Sequence, residues 1–182
     1  MKKIAMSLIA ASMALAGVTA HAAPTSNGGV LTINGQLVAN TCDVSGEGQG
    51  NNFTVTLPTL AASELSAAGS TAGSTGFTIA LTNCVPNTGN VHTFWEYGAN
   101  TLSDGALKNN GTATAVEVQL SDYNGAGQLL DLSKADGAQG AHSVALASGA
   151  ANLKYAAQYF SPLGGAGAGT VATTVTYSIV YQ

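Results

Sequence analysis

The chain has 182 residues, with five lysines, no arginine and nine acids. So few cations cannot form a basic patch, which excludes nucleic acid or an acidic membrane surface as the natural partner. Only 8% of residues are charged and 23 are glycine, a surface of low charge density that suits a chain packed against other chains.

The N-terminus reads as a targeting segment. Lys2 and Lys3 precede an apolar stretch, Ile4 to Val18, of the length of a secretory signal and too short to span a membrane. Ala20-His21-Ala22 is an A-x-A cleavage site, and cutting after Ala22 keeps Pro24 away from the scissile bond. Residues 1–22 are therefore assigned as a signal peptide. Removing 22 of 182 residues leaves 160, the size of one domain, with only Lys108, Lys134 and Lys154 against nine acids.

The mature chain starts with "APTSNGGVLTING", Ala23 to Gly35. Its first half is small and polar. Its second half alternates, with Gly29, Leu31 and Ile33 on one face and Gly28, Val30 and Thr32 on the other. Cys42 and Cys84 are the only cysteines, and an even pair in an exported chain reads as a disulfide, closing a loop of about 40 residues. Further alternating runs are Val30–Ala39, Phe53–Leu57, Phe77–Cys84, Val91–Tyr97, Ala115–Asp122 and Leu153–Phe160. They are separated by turn-rich stretches such as "SGEGQGNN" and "PLGGAGAG". One helical turn is expected within Leu60–Gly69, with Ser63 as its cap. The chain closes on "GTVATTVTYSIVYQ", in which Val171, Thr173, Val175, Tyr177, Ile179 and Tyr181 alternate with smaller or more polar residues. About seven short strands with glycine-rich turns predict an all-β sandwich of immunoglobulin-like size.

No stretch offers catalytic or cofactor chemistry. The glycines of "GGAGAG" (Gly164–Gly169) lead into a strand rather than a helix and no lysine follows, so they read as a turn and not as a phosphate cradle. Ser143 beside His142 lacks a nucleophile elbow, and His92 has no neighbouring ligand pair for a metal. Glu96, Asp104, Glu117 and Asp122 read as surface charges rather than as an acid–base pair. Trp95 and Tyr97 read either as core or as a platform for stacking a sugar ring.

Four features, in order along the precursor, carry a resemblance to the major-type pilins of the bacterial chaperone–usher pathway, the type 1 fimbrial subunit family. They are "NGGVLTINGQL" near the N-terminus, the cysteine contexts "NTCDV" and "LTNC", the penultimate aromatic Tyr181, and Gly169 fourteen residues from the end. The resemblance implies an incomplete immunoglobulin-like sandwich that lacks its last strand and is completed by donor-strand exchange. It implies a donor-strand extension at 23–33 carrying Gly29, Leu31 and Ile33, ahead of a pilin domain at 34–182. It further implies an acceptor groove, also the chaperone contact, at Gly169, Val171, Val175, Tyr177, Ile179, Tyr181 and Gln182. The partners implied are sister pilin subunits forming a homopolymer, a periplasmic pilus chaperone and an outer-membrane usher, with no cofactor and no catalysis. The implied destination is a fimbrium at the cell surface, reached through the periplasm. A shaft subunit is favoured; a minor or adaptor pilin and a secreted carbohydrate-binding β-sandwich are the alternatives.

Overall fold

The computed structural model describes residues 30–35 and 41–182. Val30–Gly35 belongs to a different unit from Thr41–Gln182, and each is described by itself. In the first, Val30, Leu31 and Ile33 are exposed, at 95%, 82% and 81%, and no strand forms. Gly29 lies outside the described residues.

The larger unit is built almost entirely of antiparallel strands. They are β1 (Thr41–Gly46), β2 (Ser70–Val85), β3 (Asn90–Trp95), β4 (Leu107–Lys108) and β5 (Glu117–Asp122), then β6 (Gln128–Leu129), β7 (Val144–Ala145), β8 (Ala151–Ser161) and β9 (Tyr177–Tyr181). One sheet runs β1-β2-β8-β5-β4 with β6 added to β5, and the other runs β7-β3-β9. Alternation creates the core. Phe77, Ile79 and Leu81 of β2 face Leu153 and Tyr155 of β8, and across the sandwich they meet Val91 and Trp95 of β3. Five aromatic rings interlock there: Phe53, Phe77, Trp95, Tyr155 and Tyr177, with centroids 5.2–6.2 Å apart. Edge-on pairs such as Trp95 with Tyr155 at 87° suit the quadrupoles of the rings.

Cys42 and Cys84 are joined, tying β1 to its neighbour β2 where Thr41 pairs with Val85. Cys42 lies inside a strand rather than at the end of one, because the polar run "TCDVSG" finds a ladder on β2. The turn expected at Leu60–Gly69 is a single 3-10 turn, Ala62–Leu65. Ser63 lies within it and does not cap it; Ala61 precedes the turn without a side-chain bond, and burial of Leu65 anchors it instead. "PLGGAGAG" is a loop after β8, as its glycines suggested. Gly164 has φ +74°, and a methyl there would press within 2.6 Å of the Ser66 carbonyl.

Glu117 opens β5 opposite Lys108 of β4. Its Oε2 is covered and without a hydrogen-bond partner. Burial, and secondly the nearby Asp104 carboxylate, push its acid up from 4.5 to about 7. A carboxyl raised in the folded state binds more protons than the unfolded chain does between those values. Urea unfolding should therefore show stability falling as pH rises from 4.5 to 7 and levelling off above, and Glu117→Gln should flatten that fall. Replacing both cysteines by serine opens a loop spanning 42 residues, and the chain-entropy relation puts the loss at about 4 kcal/mol, readable from the shift in urea midpoint.

Candidate functional site: an open edge and an apolar groove

The smaller sheet has two edges of opposite character. Asn90 and Gln182 exchange both backbone hydrogen bonds, at 3.0 and 2.8 Å, which fixes the phase of the ladder. Pairs His92–Val180 and Phe94–Ser178 are likewise bonded, and Glu96 N donates to the Thr176 carbonyl at 2.9 Å. The even-numbered residues of the terminal strand therefore use their main chain on β3. The odd-numbered ones, Tyr177, Ile179 and Tyr181, aim their N–H and C=O groups the other way, where no strand lies among the described residues.

The same phase continues upstream of β9. Thr170 O accepts from Ala113 N, Ala172 O from Asn110 N and Thr174 O from Asn100 Nδ2, while Ala172 N donates to Asn109 Oδ1. Residues 171–176, expected to be ladder strand, are thus an extended segment held on one side by the asparagine-rich loop 100–113. Gly169 makes this docking possible: a methyl there would overlap the backbone of Thr112 and Ala113.

On the far edge of β3 the polar groups are covered. β7 pairs with Asn90 and Val91. Beyond it the buried Gln139 amide acts as a one-residue strand, accepting from Trp95 N at 3.0 Å and donating to Trp95 O at 2.6 Å. Sealing one edge with a side chain while leaving eleven residues of the other bare is a sharp contrast, since bare edges are an aggregation hazard.

Beside the bare edge lies a groove of about 1150 Å³. One wall is Val171, Thr173, Val175, Tyr177, Ile179 and Tyr181; the other is Phe53, Val55 and Leu57. Trp95, Leu107, Val118 and Leu120 form its floor. Phe53–Leu57, expected as a strand, is extended and alternates in burial, yet it makes no backbone–backbone hydrogen bond among the described residues. Burial raises the phenol pKa of Tyr177 and of Tyr181, so both rings line the groove as neutral groups. Inside, Trp95 Nε1 and Thr173 Oγ1 are covered without hydrogen-bond partners. The site is a trough that is apolar within, with main chain along both rims that pairs with no strand among the described residues.

Of the residues assigned from sequence to the groove, Val171, Val175, Tyr177, Ile179 and Tyr181 line it. Gly169 and Gln182 do not; the first packs on loop 112–113 and the second pairs with Asn90. Sequence reading missed the facing wall, although "FTVTL" carried the signal of alternation. Trp95 is 2% exposed whereas Tyr97 is 68% exposed, so the two do not form a stacking platform. Ser143 Oγ bonds the Gln182 side chain rather than His142, which sits by the buried Asp122.

The family model described as type-1 fimbrial protein, A, matches residues 57–182. The chain belongs to the type-1 fimbrial protein family. Among its relatives, the F17 fimbrial protein of Escherichia coli is 39% identical over 160 residues, covering 85% of this chain and 87% of the relative. The major fimbrial subunit SMF-1 of Stenotrophomonas maltophilia is 36% identical over 177 residues, covering 93% and 99%. The type-1 fimbrial protein A chain of Escherichia coli is 29% identical over 182 residues, covering 96% of each. The protein is a structural pilus subunit. In this fimbrial subunit the family match opens at Leu57 on one wall of the groove and closes on the terminal strand that forms the other.

Proposed function

We propose that the fimbrial subunit polymerises by donor-strand exchange, its groove filled by the N-terminal arm of another copy, and that it builds the shaft of the fimbria. The observation that carries this reading is the double role of the odd-numbered residues 171–181. Thr173 apart, they present apolar side chains to the trough, together with main-chain groups that pair with no strand among the described residues. An added strand satisfies both at once: its main chain pairs with the rims and its alternate side chains enter the groove.

The arm has matching chemistry. Leu31 and Ile33 are large, apolar and exposed, and exposed apolar stripes of this kind mark interaction surfaces. In sequence their face runs from Asn27 through Gly29, Leu31, Ile33 and Gly35 to Leu37. That is six alternate positions, the number offered by Val171 to Tyr181. The alternation of the donor extension at 23–33 thus runs on in sequence through Gly35 to Leu37, into the start of the pilin domain assigned at 34–182.

On this reading residues 1–22 direct export to the periplasm. A chaperone there lends a strand to the groove and holds the C-terminal edge until assembly. The outer-membrane usher then presents the next subunit's arm, which replaces the chaperone strand. The work is mechanical, without catalysis or cofactor, and the product is a surface fimbrium.

Each of Leu31 and Ile33 contributes about 1.5–3 kcal/mol when buried. Leu31→Asp combined with Ile33→Asp should abolish the ladder of detergent-resistant multimers on gels. The same variant should still accept a wild-type arm in its groove, and so enter a polymer only as its first subunit. A full ladder from the double variant would refute the assignment of the arm as donor.

A further inference from the structure

Tyr177 reaches across the groove. Its hydroxyl donates to the Asn51 carbonyl at 2.7 Å. Its ring meets Phe53 edge-on at a centroid distance of 5.8 Å and rests on Trp95, also at 5.8 Å. Asn51 and Phe53 stand on one wall and Tyr177 on the other. Among the described residues this is the one hydrogen bond between segments 51–57 and 170–182.

A strand that pairs with both rims needs them about 9.6 Å apart, two interstrand spacings, with room beneath for its inward side chains. A phenol bridging the walls competes for that room. It ties the two walls through one hydrogen bond. The bond itself lies at the solvent-exposed mouth of the groove, while the ring beneath it packs on Trp95 and Phe53.

We propose that Tyr177 is a latch: it closes the empty groove onto Asn51 and Phe53, and it must release Asn51 before an incoming strand seats. This rests on the reading that the groove accepts a strand. The latch makes strand uptake a two-step event, opening and then pairing, and it slows uptake by subunits that meet a stray strand.

The test uses the exported form, Ala23–Gln182, carrying Leu31→Asp and Ile33→Asp so that its own arm does not compete, mixed with a fluorescent synthetic peptide of residues 25–37 of the native sequence, with uptake followed by anisotropy. Tyr177→Phe keeps the ring and removes only the hydrogen bond, so uptake should be roughly fivefold faster, the equivalent of one neutral hydrogen bond. Phe53→Leu loosens the ring contact while leaving the hydroxyl in place, and it should also speed uptake. Near-UV circular dichroism reports whether each variant keeps its packing; if Tyr177→Phe does not, Phe53→Leu decides. Equal or slower uptake by the packed variants, with wild-type final occupancy, overturns the latch and leaves the groove reading standing. No uptake by wild type or variants overturns the groove reading and the latch with it.

Discussion

A strand can discharge its main-chain hydrogen bonds on two sides, and here one side has no partner among the described residues along most of the terminal segment. From Val171 to Tyr181 the even-numbered residues are tied to β3 and to the loop 100–113. The odd-numbered ones line the groove with their side chains, and their main chain pairs with no strand among the described residues. Eleven extended residues make an edge roughly 35 Å long. An unmet backbone group costs about as much as a lost hydrogen bond once water is removed. Such an edge is tolerable only while wet, and the apolar trough beside it favours being dry. The two demands conflict along this edge.

The remainder of the domain is organised so that this conflict is confined to one place. The long ladders β2–β8 and β8–β5 carry most of the pairing of the larger sheet. The Cys42–Cys84 bridge secures β1, itself an edge, to β2. Gln139 closes the other side of β3. The terminal segment is pinned by asparagine side chains and by the close approach that Gly169 permits. These contacts leave the outer side of the terminal segment as the long stretch of main chain without a partner among the described residues.

Much of this was legible in the sequence, because strict alternation is a local property. "TVATTVTYSIVYQ" announced which residues face inward, whereas "VLTING" shows the same alternation without forming a strand at Val30–Gly35. The sandwich class followed from short runs and glycine turns. Other features required the fold. "TCDVSG" is too polar to signal a strand, yet it pairs with β2. β4, β6 and β7 are two residues each, shorter than any periodicity can reveal. The role of Phe53–Leu57 was invisible, since its alternation is the same whether or not a partner strand lies beside it. Gln139 and Tyr177 act through contacts with residues 44 and 126 positions away, a range that no local pattern encodes. Gly169 drew notice by its position, but its cause, the backbone of Thr112 and Ala113 lying against it, is tertiary.

The central claim is that the outer side of Val171–Tyr181 is unpaired until another chain supplies a strand. Residue-resolved amide hydrogen exchange on the strand-free subunit, with and without the arm peptide, tests it most directly. Without peptide, the amides of Val171, Thr173, Val175, Tyr177, Ile179 and Tyr181 should exchange rapidly while those of Ala172, Ser178, Val180 and Gln182 are protected. With peptide, the odd-numbered set should become slow. Protection of the odd-numbered amides from the outset, or no change on adding the peptide, would contradict the account.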